Sequence, residues 1–265
     1  MNAHHHLPRL GWPVLLGIAL LLGTGGIALA AIVTNVASTK HNLSASGPGP
    51  AKATSESEIC VFCHTPHNVN MKAVPPLWNR ELSTLTYTTY TSASMEAVTK
   101  QPGGTSKLCL SCHDGTLAIG TVGVLNSVSP VSIMMTGTNE GAIPQGAGEF
   151  TGYTRDIGVD LSNDHPVSFT YDAALANYDG ELRTPPVVSG GNPVVANRAA
   201  GVTPRPLFPL DNNEMQCTSC HDPHTWESDP SKGNHKFLRG NRLQQVQPVG
   251  SAFNQFNDTI CLACH

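Results

Sequence analysis

The chain has 265 residues, a formal net charge of −4 at pH 7, and only 13% charged residues. This charge is too small to indicate a nucleic-acid partner, and the sequence has neither a Lys/Arg cluster nor a phosphate-binding glycine loop. The 25 glycines and 20 prolines predict a chain rich in turns, without long regular elements.

The N-terminus has the features of an export signal. A short polar start, residues 1–13, is followed by an apolar run from Val14 to Ala30 that ends in the small-residue pattern Ala-Leu-Ala. We expect residues 1–30 to be a signal peptide cleaved after Ala30, which sends the protein to the cell surface, the exterior or the periplasm. The alternative is an uncleaved anchor, since residues 14–33 are long enough, at roughly 20 residues, to span a bilayer.

Four copies of the pattern Cys-x-x-Cys-His contain all eight cysteines. Two thiols three positions apart on one helical turn can add to the two vinyl groups of a haem, and the following His then ligates the iron. The pattern therefore predicts four covalently attached haem c groups. The cysteines are Cys60 and Cys63, Cys109 and Cys112, Cys217 and Cys220, and Cys261 and Cys264. The proximal iron ligands are His64, His113, His221 and His265.

Three other interpretations of the cysteines are possible. Eight cysteines in an exported chain could form disulfides, and paired Cys-x-x-Cys units could bind zinc, but neither use requires a His after every second Cys. Thioredoxin-like redox pairs require a strand-helix context that the sequence does not indicate near the motifs.

The motif spacing indicates a duplication. Cys60 and Cys109 are 49 residues apart, and Cys217 and Cys261 are 44 apart. Each half also opens with a motif extended to a second His, in His-Thr-Pro-His and His-Asp-Pro-His. The sequence predicts two di-haem modules, residues 31–115 and 161–265, joined by a connecting segment at 116–160.

The expected fold is mostly irregular coil with short helices and few strands, organised around four haems. Residues 116–135 alternate apolar and small polar side chains in a strand-like way, interrupted by Pro130. Residues 182–210 hold six prolines and several glycines, and predict coil or extended chain.

Four haems also need four distal ligands. Outside the leader there are five further histidines, and the repeat selects four of them, two for each module: His41, His67, His165 and His224. His235 has no counterpart and is expected at the surface. Three residues span at most about 11 Å, so His67 is expected to reach a haem other than that of His64. Methionine is the alternative distal ligand, with these candidates: Met71, Met95, Met134, Met135 and Met215.

The motif-bearing segments resemble exported multihaem cytochromes. The words Lys-His-Asn-Leu-Ser around His41, the extended first motif, the run Leu-Cys-Leu-Ser-Cys-His-Asp-Gly at 108–115 and Asn-Asp-His-Pro-Val around His165 are typical of them. The four-haem count is most similar to the tetrahaem cytochromes that polymerise into extracellular filaments. This resemblance implies bis-His haems stacked in a chain, little secondary structure, and an axial His exchanged between subunits.

These features predict an electron-transfer protein rather than an enzyme, because two imidazoles on each iron leave no open position for a substrate. Its expected partners are copies of itself and redox proteins or minerals. A soluble or anchored periplasmic shuttle is the first alternative, and a multihaem reductase, which needs one vacant iron face, is the second.

The two ends of the chain suggest a head-to-tail contact. The fourth motif ends at His265, so other residues or another molecule must cover its haem. The arm at 31–57 carries His41 and has few large apolar residues. We expect one distal His to cross between subunits, with His41 the first candidate and His165 the second. The alternative is that His41 serves the first haem of its own chain.

Overall fold

The computed structural model describes residues 36–65, 77–145, 155–186, 194–196, 207–224, 237–239 and 260–265. The chain divides into two units, Met1–Thr34 and Asn35–His265, and all the described residues belong to the second. The predicted signal peptide, His67, Met71 and His235 lie outside the described residues. None of the helices in the described ranges is long and apolar enough to cross a membrane.

The helices of the described chain are short, and most of them contain a motif. The α-helices are α1 (Gly104–His113), α2 (Ala173–Asp179) and α3 (Cys217–Cys220). Three 3₁₀ turns span Val36–Ser38, Cys60–Phe62 and Cys261–Ala263. Outside the motifs, α2 begins at the N-cap Asp172, whose carboxylate accepts from the Leu175 amide at 2.9 Å, and ends at the left-handed Gly180.

The described strands form only two-stranded sheets, and most have two residues. In chain order they are β1 (Lys52–Ala53), β2 (Thr88–Thr89), β3 (Thr121–Val122), β4 (Val131–Ser132), β5 (Met135–Thr136), β6 (Asp160–Leu161), β7 (Phe169–Thr170), β8 (Val194–Ala196), β9 (Leu207–Pro209) and β10 (Glu214–Met215). The pair β2–β6 is parallel, and the pairs β1–β5, β3–β4, β7–β10 and β8–β9 are antiparallel.

Two of these pairs bear on the sequence predictions. The strand-like segment 116–135 contains the antiparallel pair β3–β4, with Pro130 immediately before β4. The segment 182–210, predicted as coil or extended chain, also contains the antiparallel ladder β8–β9. Composition indicated an extended chain there but did not identify its strand partner, because prolines do not specify pairing.

Apolar side chains within the described ranges form four small clusters instead of one large core, and a motif residue contributes to each. Phe62 of the first motif, Leu110 of the second and Ala263 of the fourth are each buried in a different cluster. Cys112 packs at the edge of the remaining one. Packing is therefore concentrated around the motifs.

Candidate haem-binding sites

The first motif begins with the 3₁₀ turn Cys60–Phe62 and then pairs with a segment further along the chain. His64 forms an antiparallel bridge with Trp78. The backbone amide of Asn79 donates to the Cys63 carbonyl at 2.9 Å. The end of the motif is therefore fixed by backbone hydrogen bonds as well as by the turn.

The side chain of Asn79 completes this attachment. It is fully buried, and its Nδ2 group donates to the Val61 carbonyl at 2.7 Å and to the Val124 carbonyl at 2.9 Å. Its Oδ1 accepts from the Val124 amide at 2.8 Å. One buried carboxamide thus joins the first motif to the chain that follows β3.

The third motif is attached in the same way. His221 forms an antiparallel bridge with Leu238, and the amide of Arg239 donates to the Cys220 carbonyl at 2.8 Å. Arg239 Nε donates to the Thr218 carbonyl at 2.8 Å. Thr218 follows the first cysteine of its motif, as Val61 does in the first motif.

The two supporting segments, 77–79 and 237–239, also share their backbone conformation. Leu77 and Phe237 are in the left-handed region, with φ of 62° and 61°. Their carbonyls accept from equivalent amides, those of Thr65 at 3.0 Å and Asp222 at 2.8 Å. The two backbone hydrogen bonds of the bridge and one side-chain hydrogen bond thus recur at the two motifs.

The second motif lies at the C-terminal end of α1, so that Cys109 and Cys112 are one turn apart and His113 is the last helical residue. The chain then turns at Gly115, which has φ of +73°. A Cβ atom at Gly115 would lie 2.6–2.8 Å from the carboxylate of Asp156. The left-handed conformation favours glycine, and a side chain here would also have to displace the Asp156 carboxylate.

The fourth motif is supported by the segment that follows α2. The amide of Arg183 donates to the Cys264 carbonyl at 2.6 Å, and its Nε donates to the carbonyl of His265. Tyr171 donates its hydroxyl to the Arg183 carbonyl at 2.5 Å and also lies 3.4 Å from the carbonyl of Cys264.

All eight cysteines are free thiols, so the disulfide framework considered from the sequence is not present. Burial raises the pKa of Cys63 and of Cys264 to about 12, and that of Cys220 to about 11. Burial therefore favours the neutral thiol at these three cysteines.

The second and third motifs are in direct contact. The thiols of Cys109 and Cys217 lie close together, and Cys109 lowers the pKa of Cys217. Beside them, Thr105 Oγ1 and Thr218 Oγ1 are 2.5 Å apart. The Cys217 amide donates to Ser106 Oγ at 2.9 Å. The two predicted modules therefore meet at α1 and α3.

Two motif histidines each lie close to a histidine outside the Cys-x-x-Cys-His units. The rings of His41 and His113 have centroids 6.2 Å apart and planes at 84°. The rings of His64 and His224 have centroids 6.0 Å apart and planes at 19°. Two imidazoles that ligate one metal from opposite sides at ~2.0 Å place their centroids about 6 Å apart.

The other motif histidines have weaker evidence for partners. The pKa of His165 is lowered by desolvation and, to a smaller extent, by the neighbouring His265. His221 lies near enough to His41 to contribute to the lowered pKa of His41. His67, the remaining predicted distal ligand, lies outside the described residues.

The three distal candidates that the structure describes form hydrogen bonds through Nδ1. His41 Nδ1 lies 3.4 Å from the Pro223 carbonyl, and His165 Nδ1 lies 3.0 Å from the Pro166 carbonyl. In His224 the same nitrogen lies 3.3 Å from a carboxylate oxygen of Asp222. An imidazole held through Nδ1 can ligate a metal only through Nε2, the usual arrangement of metal-binding histidines.

The proximal candidate His113 has the same feature, and its environment favours the neutral ring. Its Nδ1 lies 2.6 Å from the Arg155 carbonyl, and desolvation lowers its pKa. Desolvation, followed by the charge of His113, also lowers the pKa of His41 to about 4. Neutral imidazole is the form that ligates a metal.

Unsatisfied donors provide a second test of fit to a haem, which carries two carboxylates. Three buried side-chain nitrogens have no hydrogen-bond partner in the described structure, and two of them, Trp78 Nε1 and Arg155 Nε, belong to residues beside motif histidines; the third is Arg80 Nε. Unpaired buried donors are uncommon in folded proteins. Trp78 lies edge-on to His64 at 6.2 Å, and the Arg155 carbonyl is the one beside His113. The residues present therefore fit a haem.

The methionines show less evidence of a ligand role. Met215 is buried among apolar side chains, and Met135 packs against two apolar clusters. Met134 has 74% of its surface exposed. In the part of the chain that is described, no three or more His, Cys, Asp or Glu side chains form a group suited to a bare metal ion.

Comparison with known proteins identifies no relative: no protein-family model matches the chain, and no curated protein matches it significantly.

Sequence reasoning did not find the residues that support the motifs, chiefly Asn79, Arg80 and Arg239. Most of their acceptors are backbone carbonyls, which leave no mark in the sequence. It also assigned two distal histidines to each module, whereas His224 of the second module lies beside His64 of the first.

Proposed function

We propose that this chain is a tetrahaem c-type cytochrome that transfers electrons. The observation that carries the proposal is the pairing of His41 with His113 and of His64 with His224. The 6 Å spacing alone also occurs in ordinary aromatic contacts. It gains weight because one ring of each pair belongs to a Cys-x-x-Cys-His motif and because three of the four rings, His41, His113 and His224, have Nδ1 beside an oxygen.

The contacts favour a specific ligand assignment. His64 and His224 would serve the haem of the first motif, and His113 and His41 that of the second. His265 and His165 would serve the fourth. By elimination His221 takes His67, so that each His-x-Pro-His segment provides a proximal ligand for one haem and the distal ligand for the other.

A haem bound in this way supplies one-electron redox chemistry. Two imidazoles of the chain would ligate each iron, and desolvation favours the neutral form of His41, His113 and His165. With two protein ligands on each iron, no face would be left open for a substrate. This arrangement favours electron transfer over the reductase alternative.

The exposed cysteines indicate where electrons could enter and leave. Cys60 of the first motif and Cys261 of the fourth are exposed, whereas the other six cysteines are partly covered. The first and fourth motifs therefore reach the surface. The contact between Cys109 and Cys217 connects the second motif to the third. A redox partner could approach either exposed end.

We also propose that the protein is exported and assembles with copies of itself. The exposed fourth motif supports coverage by another molecule, as in a filament of exported subunits. The position of His41 beside His113 of its own chain favours an intramolecular ligand at the second motif, rather than at the first as considered from the sequence. His165 is then the stronger candidate for any ligand exchanged between subunits.

The test is production of the full chain in a host that attaches haem to exported proteins. Intact-mass spectrometry should find four covalent haems, and the ferric spectrum should be low-spin throughout. A chain without covalent haem would overturn the proposal, and one high-spin haem in four would favour the reductase. Electron microscopy of the same sample distinguishes fibres from the monomeric shuttle.

A further inference from the structure

Arg80 is a buried cation that the proposed ligand scheme does not use. It is 3% exposed, and its guanidinium donates to backbone carbonyls alone. Nη1 donates to Ile119 at 2.6 Å and Thr121 at 3.1 Å, and Nη2 to Ala118 at 2.9 Å and Ser111 at 3.5 Å. These dipoles compensate the cost of burying the charge without neutralising it.

The guanidinium lies between the first two motifs. Ser111 directly precedes Cys112, while Asn79, the neighbour of Arg80, donates to the Cys63 carbonyl. Burial raises the pKa of both the Cys63 and Cys112 thiols, and Arg80 is the cation that opposes this rise in each case. Its charge therefore acts on both motifs.

No carboxylate compensates Arg80 within the described structure, since none of the ion pairs found there includes it. Its neighbour Glu81 is exposed to solvent. Asp114 affects the Cys112 thiol but is not among the groups that act on Cys63. At the third motif, by contrast, Arg239 is paired with Asp222 at 2.8 Å.

We propose that Arg80 raises the reduction potentials of the haems at the first two motifs. The inference rests on the proposed haem binding. Reduction adds one electron to a ferric iron, so a nearby fixed cation stabilises the ferrous form. A guanidinium remains charged at all working pH values.

The test is a redox titration of the haem-loaded chain with dithionite as the one-electron reductant. Arg80→Gln should lower the reduced-to-oxidised ratio of the affected haems about tenfold at a fixed potential, a shift of ~59 mV for one electron. One charge about 10 Å away at an effective dielectric near 20 gives an effect of this order. Arg80→Lys, which keeps the charge, should remain near wild type.

Two further variants separate charge from structure. Lys100→Gln removes a cation whose side chain is 56% exposed and should leave the potentials unchanged. If Arg80→Gln does not fold, Leu117→Glu adds a carboxylate to the shallow pocket that Arg80 also lines. It should lower the same potentials relative to Leu117→Gln.

The outcomes are distinct. Four low-spin haems with unchanged potentials in Arg80→Gln, or in Leu117→Glu where it is needed, would overturn the role of Arg80 and leave the cytochrome proposal intact. Absence of covalent haem from the wild-type chain would instead overturn the proposed function on which the inference rests.

Discussion

Asn79 and Arg239 occupy corresponding positions beside different motifs. Each donates its backbone amide to the carbonyl of the second motif cysteine, and its side chain to the carbonyl that follows the first cysteine. An amide and a guanidinium thus make the same contact, because both present N–H groups to a carbonyl. This equivalence supports the predicted duplication at a position where the sequences differ.

Replacing Asn79 should destabilise the protein. Asn79→Ala leaves the Val61 carbonyl and both backbone groups of Val124 without their buried partner. Removing one partner from buried hydrogen bonds costs about 1–3 kcal/mol. We expect the free energy of unfolding, measured by guanidinium titration, to fall by about 2–3 kcal/mol.

The matched control for this variant is Asn139→Ala. Asn139 is exposed, and its bridge to Ala142 uses backbone atoms only. Surface changes of this kind usually alter stability by less than about 0.5 kcal/mol. Equal stabilities for the two variants would show that the buried carboxamide does not support the first motif.

The local structure of the motifs could be predicted from sequence, whereas their mutual arrangement could not. Cys-x-x-Cys spacing requires one helical turn, and all four motifs form a helix or a 3₁₀ turn. The supporting residues Trp78 and Leu238 follow their motif histidines at different intervals, 14 and 17 residues. A fixed sequence interval from the motif histidine could therefore not have identified both supporting residues.

The histidine pairing depends on long-range contacts for a similar reason. The repeat assigned His41 and His224 each to its own module, and His41 lies beside His113 of its own module, whereas His224 lies beside His64 of the other one. The contact of α1 with α3 brings the modules together, and it rests on side chains such as Thr105 and Thr218, whose types are common in any sequence.

Glycine at position 115 should be essential to the turn after the second motif. Gly115→Ala places a methyl group within 2.6–2.8 Å of the Asp156 carboxylate and forces a side chain into the left-handed region. The conformation alone costs roughly 1–2 kcal/mol, and the overlap adds to it. We expect a loss of about 3 kcal/mol in the free energy of unfolding.

Gly158→Ala isolates the conformational effect. Gly158 has a similar φ of +70°, but a Cβ atom there would meet nothing within 4 Å. The free energy of unfolding of this variant should fall by only about 1 kcal/mol, the cost of the left-handed conformation. If both glycine variants unfold at the same guanidinium concentration, the approach of Asp156 is unimportant.

The proposed ligand pairs predict which haem each distal histidine serves. His224→Ala should convert one haem of the four to high spin, because one axial position loses its imidazole. The same substitution made together with Cys60→Ala and Cys63→Ala should produce no high-spin signal, since the haem it serves is absent. Likewise, His41→Ala alone should convert one haem to high spin. His41→Ala combined with Cys109→Ala and Cys112→Ala should give no high-spin signal.

Resonance Raman spectroscopy of the ferric protein would measure these spin states. His235→Ala is the control, because the repeat gives His235 no ligand role, and it should leave all four haems low-spin. A high-spin signal from His224→Ala that persists without the first motif would refute the pairing of His224 with His64.

The ring orientations predict two different electron paramagnetic resonance signals. The planes of His64 and His224 are nearly parallel, at 19°, and those of His41 and His113 nearly perpendicular, at 84°. Parallel imidazoles split the two iron d orbitals that interact with them, whereas perpendicular ones leave the pair nearly equal in energy. The first motif should therefore give a rhombic low-spin signal, and the second a highly anisotropic signal with one large g value.

Deleting one motif at a time assigns these signals. Cys109→Ala with Cys112→Ala should remove a large-g component from the ferric spectrum at low temperature. Cys60→Ala with Cys63→Ala should instead remove a rhombic component and leave that large-g signal in place, provided the remaining haems are attached. Loss of a rhombic component from the first double variant would mean that the His41 and His113 rings are close to parallel in the haem-loaded protein. The perpendicular arrangement would then belong only to the chain without its cofactor.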